Sequence, residues 1–126
     1  MVLCKGANEN YRCITTINGF EIVSDVSIDK GGQGNGIRPH DILETAFASC
    51  LNMTVRMKCE KIEISSSDIS VKVDLQRDEF KTVFKYQVLF GNTLLESQMD
   101  EILEALENCP VRNTLSKPIA FSLIND

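Results

Sequence analysis

The segment PHDILETAFASCLNMTVRMKCEK, residues 39–61, constrains the fold more than any other part of the chain. Pro39 suits the first helical position, with its φ preset and no amide to leave unpaired. Asp41 falls in the first turn, where a carboxylate is favoured by the helix dipole. At about 100° per residue, Leu43, Ala46, Phe47, Cys50, Met53, Thr54 and Met57 share one face centred on Cys50. Asp41, Thr45, Asn52, Arg56 and Cys59 lie opposite, but Ala48, Leu51 and Val55 make even that side partly apolar. A helix this apolar is covered on most sides. One sheet covers one face, and a second subunit is the natural cover for the rest.

The flanking segments supply the sheet. CITTINGFEIVS reads as a hairpin, because Asn18-Gly19 provides the two positive-φ residues of a tight turn. Residues 29–38, DKGGQGNGIR, read as a flexible glycine-rich connector, since the lysine and helix context of a phosphate loop is missing. Ile69, Val71, Val73 and Leu75 alternate with polar residues, the pattern of a half-buried strand. FKTVFKYQVLF, residues 80–90, predicts a second strand with Phe80, Phe84, Tyr86, Val88 and Phe90 on one side. An amphipathic helix follows, with Leu95, Met99, Ile102, Leu103 and Leu106 as its stripe. A short helix from Pro110, a break at Pro118 and a final strand complete the order β-β-α-β-β-α-α-β. This is an α+β chain with antiparallel strands packed on helices. Its 126 residues fit a single domain, 1–126, large enough to bury a core without disulfides or a structural metal.

Charge and cysteine count narrow the chemistry. A net charge of −5 without a basic stripe argues against nucleic-acid binding. No apolar run is long enough for a membrane span, and the N-terminal residues lack the apolar core of a signal peptide, so the cytoplasm is the expected location. The five cysteines are an odd number, and His40 is the only histidine. A disulfide framework and the common zinc sites are therefore both unsupported, and no metal or cofactor is expected. Cys4 reads as part of a mobile tail and Cys13 as a strand residue, both incidental. Cys109 precedes Pro110 and so reads as an N-cap. There its thiol would meet unpaired amides and a positive dipole end that lower its pKa, unless it simply fills a buried corner. Cys50, centred on an apolar stripe, reads from periodicity alone as core.

Two motifs change that reading. RPHDILETAFASCLNMTVRM, with Cys50 eleven positions after Pro39, resembles the central-helix motif of the OsmC/Ohr family, the osmotically inducible and organic-hydroperoxide-resistance proteins. ENCPVRNTLSKPI resembles the second hallmark of that family, 59 residues further on. The resemblance spans essentially the whole chain. It implies an OsmC-like fold, with an antiparallel sheet packed on a long central helix, in an intertwined homodimer. It also implies thiol-dependent reduction of organic hydroperoxides to alcohols, a response to oxidative stress. By carry-over, Cys50 attacks the peroxide, Cys109 resolves the sulfenic acid to a disulfide, and a small thiol or dithiol reduces the pair.

The family pattern also includes an arginine beside the attacking thiolate, positioned by a glutamate near the start of the central helix. Here His40 and Asp41 follow Pro39, and Asp41 is the shorter replacement. Asn18-Gly19-Phe20 stands where some members carry the arginine, which leaves Arg38 as the nearest candidate and Arg12 as a poorer one. The alternative function is a binding protein: the same dimer, holding a small apolar ligand, with structural or weakly reactive cysteines.

Overall fold

The computed structural model describes residues 1–125. In chain order the elements are β1 (Leu3–Gly6), β2 (Cys13–Ile17), β3 (Phe20–Ser24), α1 (Pro39–Lys61), β4 (Ser70–Arg77), β5 (Thr82–Leu89), α2 (Glu96–Glu107) and α3 (Pro110–Ser116). They fall into two compact units, one from Met1 to Glu44 and one from Thr45 onward.

The first unit holds an antiparallel sheet in the order β1-β2-β3. The expected hairpin is present: Ile17 pairs with Phe20, and Asn18 and Gly19 turn the chain with φ of 48° and 85°. The first strand is an addition. Leu3–Gly6 pairs along β2, so Cys4 lies in a strand rather than in a tail. Four exposed residues carry no alternation by which a sequence pattern could have found them.

The glycine-rich segment is not a loose connector. It wraps the Asp25 carboxylate, which is only 2% exposed. The amides of Val26 and Gln33 donate to its two oxygens at 2.8 and 3.0 Å. Ile37 runs beside the end of β3, its N–H donating to the Val23 carbonyl and its own carbonyl accepting from the Asp25 N–H. A Cβ at Gly32 would stand 2.2 Å from the Val26 carbonyl oxygen, so a side chain there would force the backbone apart. Burial pushes the Asp25 carboxyl up. The amides of Val26, Gln33 and Asn35 and the charge of Arg12 outweigh that and hold it below the ordinary carboxylate value.

The second unit packs the β4–β5 hairpin on α1. The two strands pair in register from Ser70↔Leu89 to Arg77↔Thr82. The Asp78 carboxylate closes the turn by accepting the amides of Phe80 and Lys81. Phe80 therefore sits at the turn, 89% exposed, and not on the inner face of the strand. The core is formed by Phe47, Leu51, Val55 and Cys59 of α1, Ile102 and Leu106 of α2, and Cys109. Val71, Val73, Phe84 and Val88 pack against it from the strands. Phe47 meets the rings of Phe84 and Tyr86 edge-on, at 5.4 and 5.5 Å. The Asn52 side-chain amide donates to the Ile69 carbonyl and ties α1 to the strand that follows.

Two expectations are corrected here. The buried stripe of α1 runs 47-51-55-59, and Cys59, expected on the polar side, is fully buried. The Cys50-centred face is the open one, with Met53 and Met57 exposed. Composition could not distinguish two apolar faces; the hairpin and α2 choose between them. The final strand is also absent: residues 117–125 are irregular, with Ile119, Phe121, Leu123 and Ile124 exposed. A strand needs a neighbour, and among the described residues none pairs with this segment.

Candidate functional site

Cys50 and Cys109, 59 residues apart in the chain, are brought together by the packing of α1 against α2 and the turn into α3. The Cys109 Sγ donates to the Cys50 Sγ at 3.0 Å. Cys50 lies in the middle of α1 on its open face, half-buried. Cys109 is fully buried and is the N-cap of α3, with Pro110 in the first turn as expected. Its carbonyl accepts the Asn113 amide at 2.9 Å, which starts the helix.

The expected acidity of Cys109 is overturned. Burial pushes its thiol up from the ordinary value, and the neighbouring Cys50 sulfur pushes the same way. The amides of Arg112 and Val111 pull it down but do not prevail. A seven-residue helix offers two amides and a weak dipole, and removal of a thiolate from water outweighs them. Arg112 does not help, because its guanidinium donates to the Glu107 carbonyl at 3.0 Å. Burial thus favours the thiol form of Cys109 beside the Cys50 sulfur.

Cys50 also lines a groove of about 590 Å³ together with Met53, Met57, Ala105 and Pro110. Lys58 and Lys61 contribute its positive charge. A small apolar molecule in this groove meets the sulfur of Cys50, while Cys109 stands behind it in the core. Nothing in the sequence distinguished these two thiols by exposure, because the apolar surroundings of Cys50 look the same whether covered or open.

The other two predicted site residues form a pair of their own, in the first unit. The Arg38 guanidinium donates through Nε and a terminal nitrogen to the two Asp41 oxygens at 3.2 and 2.9 Å. The Arg38 backbone amide donates to the same carboxylate at 3.0 Å. Asp41 thus reaches back from the first turn to the residue before the helix, as one half of a capping box does. Those hydrogen bonds from Arg38 hold the Asp41 carboxyl below its usual range. The arginine fork is fixed in orientation, and its side chain is 65% exposed. Arg12, the poorer candidate, pairs with Glu9 at 3.5 Å. Among the described residues no three carboxylate, thiol or imidazole groups converge on a metal position, and no helix is long and apolar enough to cross a membrane.

Comparison with known proteins agrees with this architecture. No curated protein matches the chain. A solved structure from Psychrobacter arcticus, described as an osmotic stress induced and detoxification response protein, superposes with a TM-score of 0.78 at 19% identity, covering 90% of this chain and 85% of its own. An organic hydroperoxide resistance protein OsmC from Legionella pneumophila gives 0.66 at 19% identity, covering 92% and 88%. The organic hydroperoxide resistance protein OhrB of Bacillus subtilis gives 0.66 at 18%, covering 92% and 89%. These likenesses establish the α+β fold of OsmC and Ohr proteins. The family model described as OsmC-like protein matches residues 32–124, from the glycine-rich loop through both cysteine motifs, and the chain belongs to that family.

Proposed function

We infer that this protein is a thiol-dependent peroxidase that reduces organic hydroperoxides to alcohols, with Cys50 as the attacking thiol and Cys109 as the resolving one. The observation that carries this reading is the 3.0 Å contact between the two sulfurs at the edge of an apolar groove that Cys50 lines. The Cys50 thiolate attacks the outer oxygen of the hydroperoxide. The O–O bond breaks, and the alkoxide takes a proton and leaves as the alcohol. Cys50 is then a sulfenic acid. Cys109 attacks that sulfur, water departs, and a disulfide forms. An S–S bond of about 2.0 Å needs roughly 1 Å of further approach, which a side-chain rotation supplies. A small thiol or dithiol restores both thiols by exchange. The buried, protonated Cys109 is suited to wait: it reacts once Cys50 has become an electrophile.

Arg38 is the cation assigned to steer the peroxide in this scheme, and Asp41 is the group that positions it. Their mutual forked contact supports the pairing of the two in these roles. The working unit in this reading is a homodimer. The open apolar face of α1 and the exposed apolar residues of 119–124 support it, as surfaces that a second copy would cover. The cytoplasm, where thiols are kept reduced, is the matching compartment.

The same groove favours one other reading, a carrier for a small apolar ligand with inert thiols. Peroxide consumption separates the two. Reduced protein mixed with cumene hydroperoxide and dithiothreitol or dihydrolipoamide is expected to consume peroxide, and Cys50→Ser to lose most of that consumption. Equal rates for the two proteins would leave the carrier reading standing.

A further inference from the structure

A second cysteine pair lies in the first unit, outside the site described above. In the β1–β2 register, Cys4 is opposite Thr15 and Gly6 is opposite Cys13. Cys4 and Cys13 therefore share one face of the sheet as diagonal neighbours. Gly6 has no side chain to stand beside Cys13, and a Cβ there would meet nothing within 4 Å. The Cys13 Sγ is anchored by a hydrogen bond to the Tyr11 carbonyl at 3.7 Å. Cys4 is exposed and Cys13 half-buried. The Cys13 thiol is pushed up from its ordinary value, first by the neighbouring Cys4 thiol and then by burial.

We propose that Cys4 and Cys13 are a second, surface redox pair, oxidised by hydroperoxides to a disulfide that staples β1 to β2. Cys4, the exposed member, attacks the outer oxygen of a hydroperoxide; the O–O bond breaks, and an alcohol, or water from hydrogen peroxide, leaves. The sulfur of Cys13 then attacks the Cys4 sulfenic acid and expels water. Two thiols lose two electrons and two protons, and the hydroperoxide is reduced by the same two electrons. Diagonal residues in an antiparallel pair have Cα atoms about 7–8 Å apart. A disulfide usually spans about 4.4–6.8 Å, so closure must draw the strands slightly together. β1 can move, because it is a four-residue edge strand, exposed throughout and bonded on one side only. The exposed, strained bridge is correspondingly easy to reduce. None of this requires Cys50 or Cys109.

Tryptic mapping tests it cleanly, since cleavage after Lys5, Arg12 and Lys30 puts the two thiols on peptides 1–5 and 13–30. The Cys50→Ser/Cys109→Ser double variant is treated with cumene hydroperoxide, alkylated with iodoacetamide and digested without reductant. The expected result is loss of two titratable thiols per chain, with peptides 1–5 and 13–30 joined, two hydrogens lighter than their sum, and separated again by dithiothreitol. Recovery of both peptides alkylated would overturn the proposal. So would Cys4 found only as sulfinic acid, or bridged to Cys4 of another chain. Should the double variant not fold, the wild-type chain gives the same readout, because its Cys50–Cys109 bridge joins different peptides. The mapping reads a single oxidation and needs no turnover, so loss of rapid peroxide turnover in wild-type protein would concern Cys50 and leave this readout unaffected.

Discussion

The two apolar faces of α1 use similar residues for opposite ends. One face, Phe47, Leu51, Val55 and Cys59, is closed by the β4–β5 hairpin and α2 and contains the residues with almost no exposure. The other, Cys50, Met53 and Met57, opens onto a groove. A thiol occurs on each. Burial pushes Cys59 up and leaves it without access to a reactant, whereas Cys50 meets both the groove and a partner sulfur. What a cysteine can do on this helix is set by which face it occupies, more than by its apolar neighbours.

The sharpest way to break that comparison is to truncate both faces equally. Leu51→Ala removes a fully buried side chain and is expected to cost about 2–5 kcal/mol, read as a lower urea midpoint. Met57→Ala, on the open face, should change stability by no more than about 0.5 kcal/mol, while raising the KM for cumene hydroperoxide. Equal destabilisation by the two would erase the distinction. Next in size is Cys59→Ser, which places a hydroxyl in an apolar site at a cost of about 1–3 kcal/mol. Cys50→Ser should be nearly neutral for stability and lose most peroxide consumption.

The thiols also predict a pH dependence. Cys59 and Cys109 have raised values in the folded chain, so both bind their protons more tightly folded than unfolded. Their contribution to stability is complete below the ordinary thiol value and is lost as pH rises through their raised folded values. The urea midpoint should therefore decline from about pH 8.5 upward, and less steeply in Cys59→Ala. A midpoint that rises with pH in this range would contradict the burial assigned to these groups. The smallest effect is expected at Arg38. Its pair with Asp41 is largely exposed, and Arg38→Met should leave the urea midpoint unchanged while lowering kcat/KM for the peroxide.

Much of this was legible in the residues. Asn18-Gly19 fixed the first hairpin, the alternation through Val71, Val73 and Leu75 fixed β4, and Pro110 marked the start of α3. Pro39-to-Cys50 spacing with the downstream cysteine singled out two thiols that the fold brings into contact. Which face of α1 is buried was not legible, because a helix apolar on both sides leaves the choice to tertiary packing. Nor was the role of Asp25: a carboxylate that collects amides from as far along the chain as Asn35 carries no local pattern, and the glycines around it look like slack until the buried group they wrap is seen. The Cys4–Cys13 juxtaposition depended on a strand too short to be read. The acidity expected of Cys109 failed because a cap position says nothing about burial.

The most direct test of the central claim is to trap the first oxidation product. Cys109→Ser protein, treated with one equivalent of cumene hydroperoxide in the presence of dimedone, is predicted to carry the adduct on Cys50. Cys59 should remain unmodified, and wild-type protein under the same conditions should show the Cys50–Cys109 disulfide in its place. An adduct on the other thiols with Cys50 still free would contradict the assignment of Cys50 as the attacking residue.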